Sequence, residues 1–170
     1  AEIPVLELPQ EHNKVLFLTD IHFPYQDNDA LEMALESGQK WGANAIYLNG
    51  DTMDCYQISR FIKDRRMRDM SEELEDVRNF LKELKKSFNV PIYYKIGNHE
   101  DRWENFLRLQ APELLGIADF ELRNVLRLKE IGIQEVKSKQ VAKAGKLSLL
   151  HGHEFGHREK RKVKNSKIRK

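Results

Sequence analysis

Residues 91–100 read Pro-Ile-Tyr-Tyr-Lys-Ile-Gly-Asn-His-Glu. The stretch before the glycine is mainly apolar and aromatic, as is typical of a strand buried on both faces of a parallel sheet. Gly97-Asn98-His99-Glu100 follows where this predicted strand ends, and four specified residues recur by chance in roughly one chain of this length in a thousand. The segment therefore predicts a buried strand and a functional edge beyond it.

Two similar runs, 14–19 and 45–49, precede this one, and helical patterns at 28–41 and 71–88 separate the three. In the second pattern, Ser71 is expected to cap the start, and the apolar residues follow the 3, 4, 3, 4 spacing of a buried helical stripe. That stripe consists of Leu74, Val77, Leu81, Leu84 and Phe88. Alternating strands and helices predict an α/β fold with a parallel sheet and crossover helices.

The rest of the chain is expected to form two further helices and a second set of strands. The predicted helices are 101–109 and 112–129, and the predicted strands are 132–136, 141–142 and 147–151. The last two strands are expected to pair through the turn at Ala144-Gly145. No linker divides the chain before its basic end, so we expect one domain over residues 1–157, followed by a basic segment at 158–170.

Polar side chains follow each predicted strand. In an open α/β sheet, ligands bind outside the carboxyl ends of the strands, so these residues are expected to lie along one edge. They are Asp20, His22, Asp51, Asn98, His99, His151 and His153.

These residue types suit a metal-dependent reaction. A carboxylate oxygen at Asp20 beside an imidazole nitrogen at His22 suits Mn, Fe or Zn better than Ca or Mg. Asp51 has two oxygens and could bridge two cations, and Asn98 could ligate through its amide oxygen without adding charge. An imidazole has a pKa near 6.5, so His99 could donate a proton to a leaving oxygen.

The same residues also have purely structural interpretations. Asp20 could cap a turn, His22 could be an ordinary loop histidine, and a Gly-Asp pair is a common turn. Asp54 could support the ligands, although capping of the following segment is favoured. Glu100 is expected to bond backbone amides at the start of the next helix.

In order and context, the strand-end blocks resemble the first four signature blocks of the calcineurin-like metallophosphoesterases, in particular the bacterial and phage members. The resemblance covers residues 14–154. It implies a four-layer α/β/β/α sandwich with helices outside two packed sheets, a mostly parallel first sheet and a metal centre at one end. The C-terminal part is expected to be incomplete, because the second sheet is one or two strands short.

The resemblance also implies a ligand set and a reaction. It implies two divalent metal ions, for which Mn is the preferred candidate and Fe, Zn, Ni or Co are the alternatives. Asp20 and His22 would bind the first ion, Asp51 both, and Asn98 and His151 the second. A bridging hydroxide would attack phosphorus, and His99 would protonate the leaving alcohol.

One signature block is missing. The family normally ends with Gly-His-x-His, whereas the nearest string here is Gly152-His153-Glu154-Phe155. Either that block lies in a C-terminal portion outside this sequence, which we favour, or His153 or His157 substitutes for it.

Basic residues suggest the substrate. The net charge is +2, yet residues 158–170 carry eight Lys or Arg against one Glu, or +7, which leaves −5 on the rest. A cluster at 60–68, Arg60 above all, and Arg102 are expected to contact substrate. We expect a phosphodiesterase or nuclease acting on nucleic acid or nucleotides. The alternatives are a general phosphomonoesterase, a protein phosphatase and a non-catalytic binding scaffold, and the basic end could also be a solvated tail.

Composition excludes other classes. Charged residues make up 33% of the chain, and the mean hydropathy is −0.66. No apolar run approaches the roughly 18 to 20 residues of a membrane span, and no signal peptide is expected. A single cysteine, Cys55, favours the reducing cytoplasm. The sequence carries no signal of oligomeric state.

Overall fold

The computed structural model describes residues 4–59 and 69–154. The strands are β1 (Val5–Glu7), β2 (Val15–Leu18), β3 (Ala45–Leu48), β4 (Ile92–Lys95), β5 (Ile133–Val136), β6 (Val141–Ala144) and β7 (Leu147–Leu149). The helices are α1 (Asn28–Trp41), α2 (Met70–Phe88), α3 (Asp101–Gln110), α4 (Leu122–Val125) and α5 (Leu128–Ile131). Short 3-10 turns lie at Tyr56–Ile58, Pro112–Leu114 and Ala118–Phe120.

The larger sheet has four parallel strands in the order β2-β3-β4-β5. Leu16, Ile46, Ile92 and Ile133 align as one row across it. These side chains belong to or pack against the core on the helix side of the sheet. The predicted α/β fold with a parallel first sheet is confirmed.

The smaller sheet packs on the opposite face of the larger one. Its order is β1-β6-β7, with β1 parallel and β7 antiparallel to β6. Because successive strand residues alternate faces, Tyr47 and Tyr93 point away from the helices and meet Ala142 and Leu149 in a second core. Helices, sheet and sheet are thus three of the four layers that the resemblance implies.

Helix α2 carries the predicted buried stripe, in which Val77 and Leu81 are fully buried. Its cap differs from the expectation. The helix begins at Met70, and the Asp69 carboxylate, rather than the Ser71 hydroxyl, accepts the Glu72 N–H at 2.9 Å. An aspartate caps as well as a serine, and it stands at the right position relative to the first turn.

The structure adds one strand and corrects one predicted helix. Strand β1 was not predicted, since it has three residues and the alternating exposure of a short strand. The helix predicted over 112–129 is broken into 3-10 turns and the short helices α4 and α5. Pro112 starts the first turn, and Gly116 and Arg127 have φ values of +81° and +57°, which a continuous helix does not allow.

Within the part of the chain that the structure describes, no helix is long and apolar enough to cross a membrane.

Candidate metal centre

The loops after β2 and β3 run side by side past the ends of their strands. The Asp20 N–H donates to the Gly50 carbonyl oxygen at 3.2 Å, and the His22 N–H donates to the Asp51 carbonyl oxygen at 3.0 Å. Strand-like pairing therefore continues into the loops and places Asp20 and His22 beside Asp51.

Three of these residues have left-handed backbone conformations. The φ values are +55° at Asp20, +55° at His22 and +52° at Asp51. Non-glycine residues adopt this region in only a few per cent of cases, and such strain clusters at functional sites. The unusual backbone is a physical sign that these side chains are held for a purpose other than packing.

Asp51 lies at the centre of the site. Its Oδ1 atom accepts the backbone N–H of His99 at 3.0 Å, which leaves Oδ2 to face three imidazoles. The Oδ2 atom lies 3.4 Å from Nε2 of His151, 3.8 Å from Nε2 of His99 and 4.0 Å from Nε2 of His22. One buried carboxylate oxygen is therefore shared by residues from three different loops.

Hydrogen bonding fixes the orientation of His22. Its Nδ1 atom lies 3.2 Å from Oδ2 of Asp54, and a carboxylate only accepts, so Nδ1 carries the proton. The Nε2 atom then faces Asp20 and Asp51, whose nearest oxygens are 3.9 and 4.0 Å away. Asp20, His22 and Asp51 thus form a group of donor atoms that could hold a metal ion.

His151 is oriented in the same way. Its Nδ1 atom lies 2.7 Å from the backbone carbonyl oxygen of Asn49, which only accepts, so Nδ1 again carries the proton. The Nε2 atom faces Oδ1 of Asn98 at 3.1 Å and Oδ2 of Asp51 at 3.4 Å. One imidazole nitrogen and two oxygens thus converge on the same space, and all three are atom types that commonly bind divalent metals. The residues therefore fit a divalent metal at this position.

His22, Asp54 and His99 form another group of potential ligands. However, Nδ1 of His22 already bonds the Asp54 carboxylate, and Nδ1 of His99 donates to the Asp54 carbonyl oxygen at 2.7 Å. Asp54 therefore orients the two imidazoles.

The favoured expectation that Asp54 caps the next segment is wrong, because the turn at Tyr56–Ile58 has Cys55 as its N-cap and no side-chain cap bond. In the sequence, the indication that Asp54 supports the site was its position three residues after Asp51 in Gly50-Asp51-x-x-Asp54.

Arg102 is tied to the same cluster. Its guanidinium donates to the Asp54 carbonyl oxygen at 2.8 Å and lies 3.0 Å from Nε2 of His99. Since a guanidinium only donates, this Nε2 is unprotonated. Burial lowers the pKa of His99 below its usual value, against the opposing effect of the Asp51 charge. His99 is thus neutral and bonded at both nitrogens.

Two buried carboxylates hold the loop after β3. Glu73 accepts the Cys55 N–H at 2.6 Å. Glu100 accepts backbone N–H groups at 2.8 to 3.0 Å from Asp51, Thr52, Met53 and Gly97. Burial raises both pKa values, that of Glu73 to about 7. Glu100 thus bonds backbone amides as expected, but most of these amides lie in the loop after β3 rather than at the start of α3.

Gly97 permits the close approach of the loops after β3 and β4. A Cβ atom at this position would lie 2.5 Å from the backbone nitrogen of Asp51, well inside van der Waals contact. The absent side chain thus lets the backbone that carries Asn98 and His99 pack directly against Asp51.

The ring of His153 lies beside that of His151, with centroids 5.1 Å apart, but the nitrogens of His153 do not face the Asp51 carboxylate group. Nε2 of His153 lies 3.7 Å from Oδ2 of Asp101, and His153 belongs to neither group of potential ligands. Its side chain turns toward the start of α3 because it projects from the turn after His151. Arg60 with its basic cluster, His157 and the basic segment lie outside the described residues.

Comparison with known proteins gives one family. The model of the calcineurin-like phosphoesterases matches residues 13–168. The chain is similar to the "Gene 54 protein" of Mycobacterium phage L5, with 25% identity over 150 residues, and to that of Mycobacterium phage D29, with 26%. Each alignment covers 84% of this chain and 58% of the relative, so the chain spans little more than half of their length. The chain belongs to the calcineurin-like phosphoesterase family.

Proposed function

We propose that this protein hydrolyses phosphate esters with the help of two divalent cations, for which Mn²⁺ is the preferred candidate. One cation would be held by Asp20, His22 and Asp51, and the other by Asp51, Asn98 and His151. The observation that carries the proposal is the position of the Asp51 Oδ2 atom, which lies within 4.0 Å of Nε2 of both His22 and His151. A carboxylate oxygen so placed is suited to bridge two ions.

The cations would supply a nucleophile from water and offset charge on the phosphoryl oxygens. Nε2 of His99 now accepts a hydrogen bond from Arg102 and carries no proton. His99 would first take up a proton there, such as the one that water releases when it becomes the nucleophile, and would then give it to the leaving oxygen. Arg102 must therefore leave His99 when substrate binds. A charged phosphoryl oxygen is a stronger acceptor for a guanidinium than a neutral imidazole nitrogen. We therefore infer that Arg102 gives up its bond to His99 and binds the phosphoryl group of the substrate instead.

The organic part of the ester has a candidate position beside α3. A cavity of about 450 Å³ is lined by Trp103, Leu107 and Phe120 on its apolar side. Its other walls include Glu100, which binds the Asp51 N–H, and Asp101, which contacts His153. The cavity thus adjoins the proposed metal centre and has the size of ordinary small-molecule sites.

The finer proposal is a phosphodiesterase or nuclease that acts on nucleic acid or nucleotides. It is supported by the basic residues at 60–68 and 158–170, which only the sequence describes. A phosphomonoesterase, a protein phosphatase and a non-catalytic scaffold remain the alternatives. A domain boundary at residue 157 and a cytoplasmic location also remain predictions from sequence.

The direct test is hydrolysis by the purified protein with added Mn²⁺. We expect turnover of bis(p-nitrophenyl) phosphate and of a single-stranded oligonucleotide, with binding of the oligonucleotide falling steeply as salt increases. Preference for p-nitrophenyl phosphate would instead support a phosphomonoesterase. No turnover of any ester with Mn²⁺, Fe²⁺ or Zn²⁺ would refute the proposed function.

The cavity can be tested separately by fluorescence. The sequence has two tryptophans: Trp103 lines the cavity, whereas Trp41 is exposed at the end of α1. In a Trp41→Phe variant, we expect nucleoside monophosphates to quench the remaining emission, because a base would pack near the indole. Inorganic phosphate is the control and should leave the emission unchanged. Hydrolysis of a nucleotide without any quenching would show that the cavity is not used.

A further inference from the structure

A buried ion pair joins the two sheets next to the proposed metal centre. Nζ of Lys95, at the end of β4, lies 2.6 Å from Oε1 of Glu154, and both side chains are completely buried. Lysine and glutamate are almost never fully buried unless paired. Removing two charges from water is costly, and such pairs are weak evidence for stability. The pair therefore calls for another explanation.

Lys95 fixes the turn between β5 and β6. Besides its bond to Glu154, Nζ donates to the carbonyl oxygens of Lys137 and Gln140, each at 2.8 Å. An ammonium has three protons, so all of them are directed at protein atoms. Lys95 belongs to the larger sheet, and its three partners lie in the chain that leads into and out of the smaller sheet.

Glu154 fixes the loop that carries His151. Its Oε1 atom also accepts the backbone N–H of Lys139, and its Oε2 atom accepts the backbone N–H of His151 at 3.4 Å. The backbone N–H of Glu154 donates to the His151 carbonyl oxygen at 3.3 Å. The carboxylate thus closes a tight turn over residues 151–154 and connects it to Lys95.

This connection matters because His151 comes from a different sheet than its neighbours in the site. Asp51 and Asn98 follow strands of the larger sheet, whereas His151 follows β7 of the smaller one. Its Nε2 atom reaches them at 3.4 and 3.1 Å. Any sliding between the sheets would change these distances directly.

We propose that Lys95 and Glu154 are a positioning pair, which holds the His151 imidazole against Asp51 and Asn98. The inference rests on the proposed function in that these three residues form one cation site. The positioning itself is a property of the chain and can be measured without metal or substrate.

The key variant replaces both partners, Lys95→Met with Glu154→Leu, because apolar residues of similar size often preserve stability where a buried pair is removed. Leu8→Ala serves as the control. Leu8 follows β1 and is buried in the same core between the sheets, so its truncation loosens that core at β1 rather than at β4 or the turn after β7, which carry the pair.

The first readout is the ¹⁵N shifts of the His151 ring in metal-free protein. We expect Nδ1 to be fully protonated in the wild type and in Leu8→Ala, because it donates to the Asn49 carbonyl oxygen, and only partly protonated in the double variant. The second readout is calorimetric titration with Mn²⁺. We expect the affinity of one of two sites to fall about 10- to 100-fold in the double variant and the other to change less than threefold.

An unchanged Nδ1 shift and two unchanged affinities in a folded double variant would overturn the proposal, as would an equal loss at both sites. If the double variant does not fold, Glu154→Gln replaces it and is judged by the same two readouts. Absence of Mn²⁺ binding to the wild type would refute the proposed function, whereas the ring shifts would still decide the role of the pair.

Discussion

Asp51→Asn is expected to lower Mn²⁺-dependent hydrolysis by about 10³-fold or more, since bound metal contributes several kcal/mol to the transition state. The Oδ1 atom of Asp51 accepts the His99 backbone N–H. An asparagine that keeps this bond must turn its amide group toward the imidazoles of His22 and His151. The amide protons would then occupy the space proposed for the cations, and the bridging charge would be lost.

The measurements are kcat at saturating Mn²⁺ and the melting temperature of the variant. Asp29→Asn is the matched control, because Asp29 is an exposed carboxylate in the first turn of α1 and should not affect turnover. A folded Asp51→Asn protein that retains more than a tenth of wild-type turnover would show that Asp51 does not bridge two catalytic ions.

His99→Ala is expected to lower kcat by about 10²- to 10⁴-fold for esters with alcohol leaving groups, the range for loss of a general acid. For nitrophenyl esters we expect less than a tenfold loss, because nitrophenolate leaves without a proton. His99 binds Asp51 through its backbone N–H, so truncating the side chain preserves that bond, and metal binding should persist.

His12→Ala is the control for this variant. The His12 ring bonds the Tyr93 hydroxyl at 2.9 Å, on the far side of the larger sheet from the helices. Equal losses for alcohol and nitrophenolate leaving groups in His99→Ala would indicate that His99 positions other groups and does not donate the proton.

The sequence predicted the elements whose patterns are local. The stripe of α2 and the four buried residues of β3 and of β4 are visible from apolar spacing alone. Strand β1 is too short for such a pattern, and its pairing with β6 depends on residues more than 130 positions away. Turns at Pro112 and Gly116 could have divided the predicted helix over 112–129, since proline and glycine mark helix ends.

The donor residues were predictable because parallel strands end at the same edge, so motifs that follow successive strands must meet. Lys95 and Glu154 were not predicted as contributors, and Asp54 was named only as the less favoured alternative. Each acts through contacts with distant parts of the chain, as in the bond between Lys95 and Glu154. The single signal for Lys95 was a charged residue inside an otherwise apolar strand, which requires a buried partner.

The structure leaves the replacement of the missing signature block open, because His153 faces Asp101 and His157 lies outside the described residues. Among the described residues, the first proposed cation has three candidate ligands, Asp20, His22 and Asp51. An ion with three protein ligands leaves positions open for water or substrate, as catalytic sites do.

The central claim is a two-metal centre bridged by Asp51, and anomalous diffraction from crystals grown with Mn²⁺ tests it most directly. The account predicts two peaks about 3.5 to 4 Å apart. One should lie beside Asp20 and His22, the other beside Asn98 and His151, and both should contact the Asp51 Oδ2 atom. A single peak, or one enclosed by His22, Asp54 and His99, would contradict it.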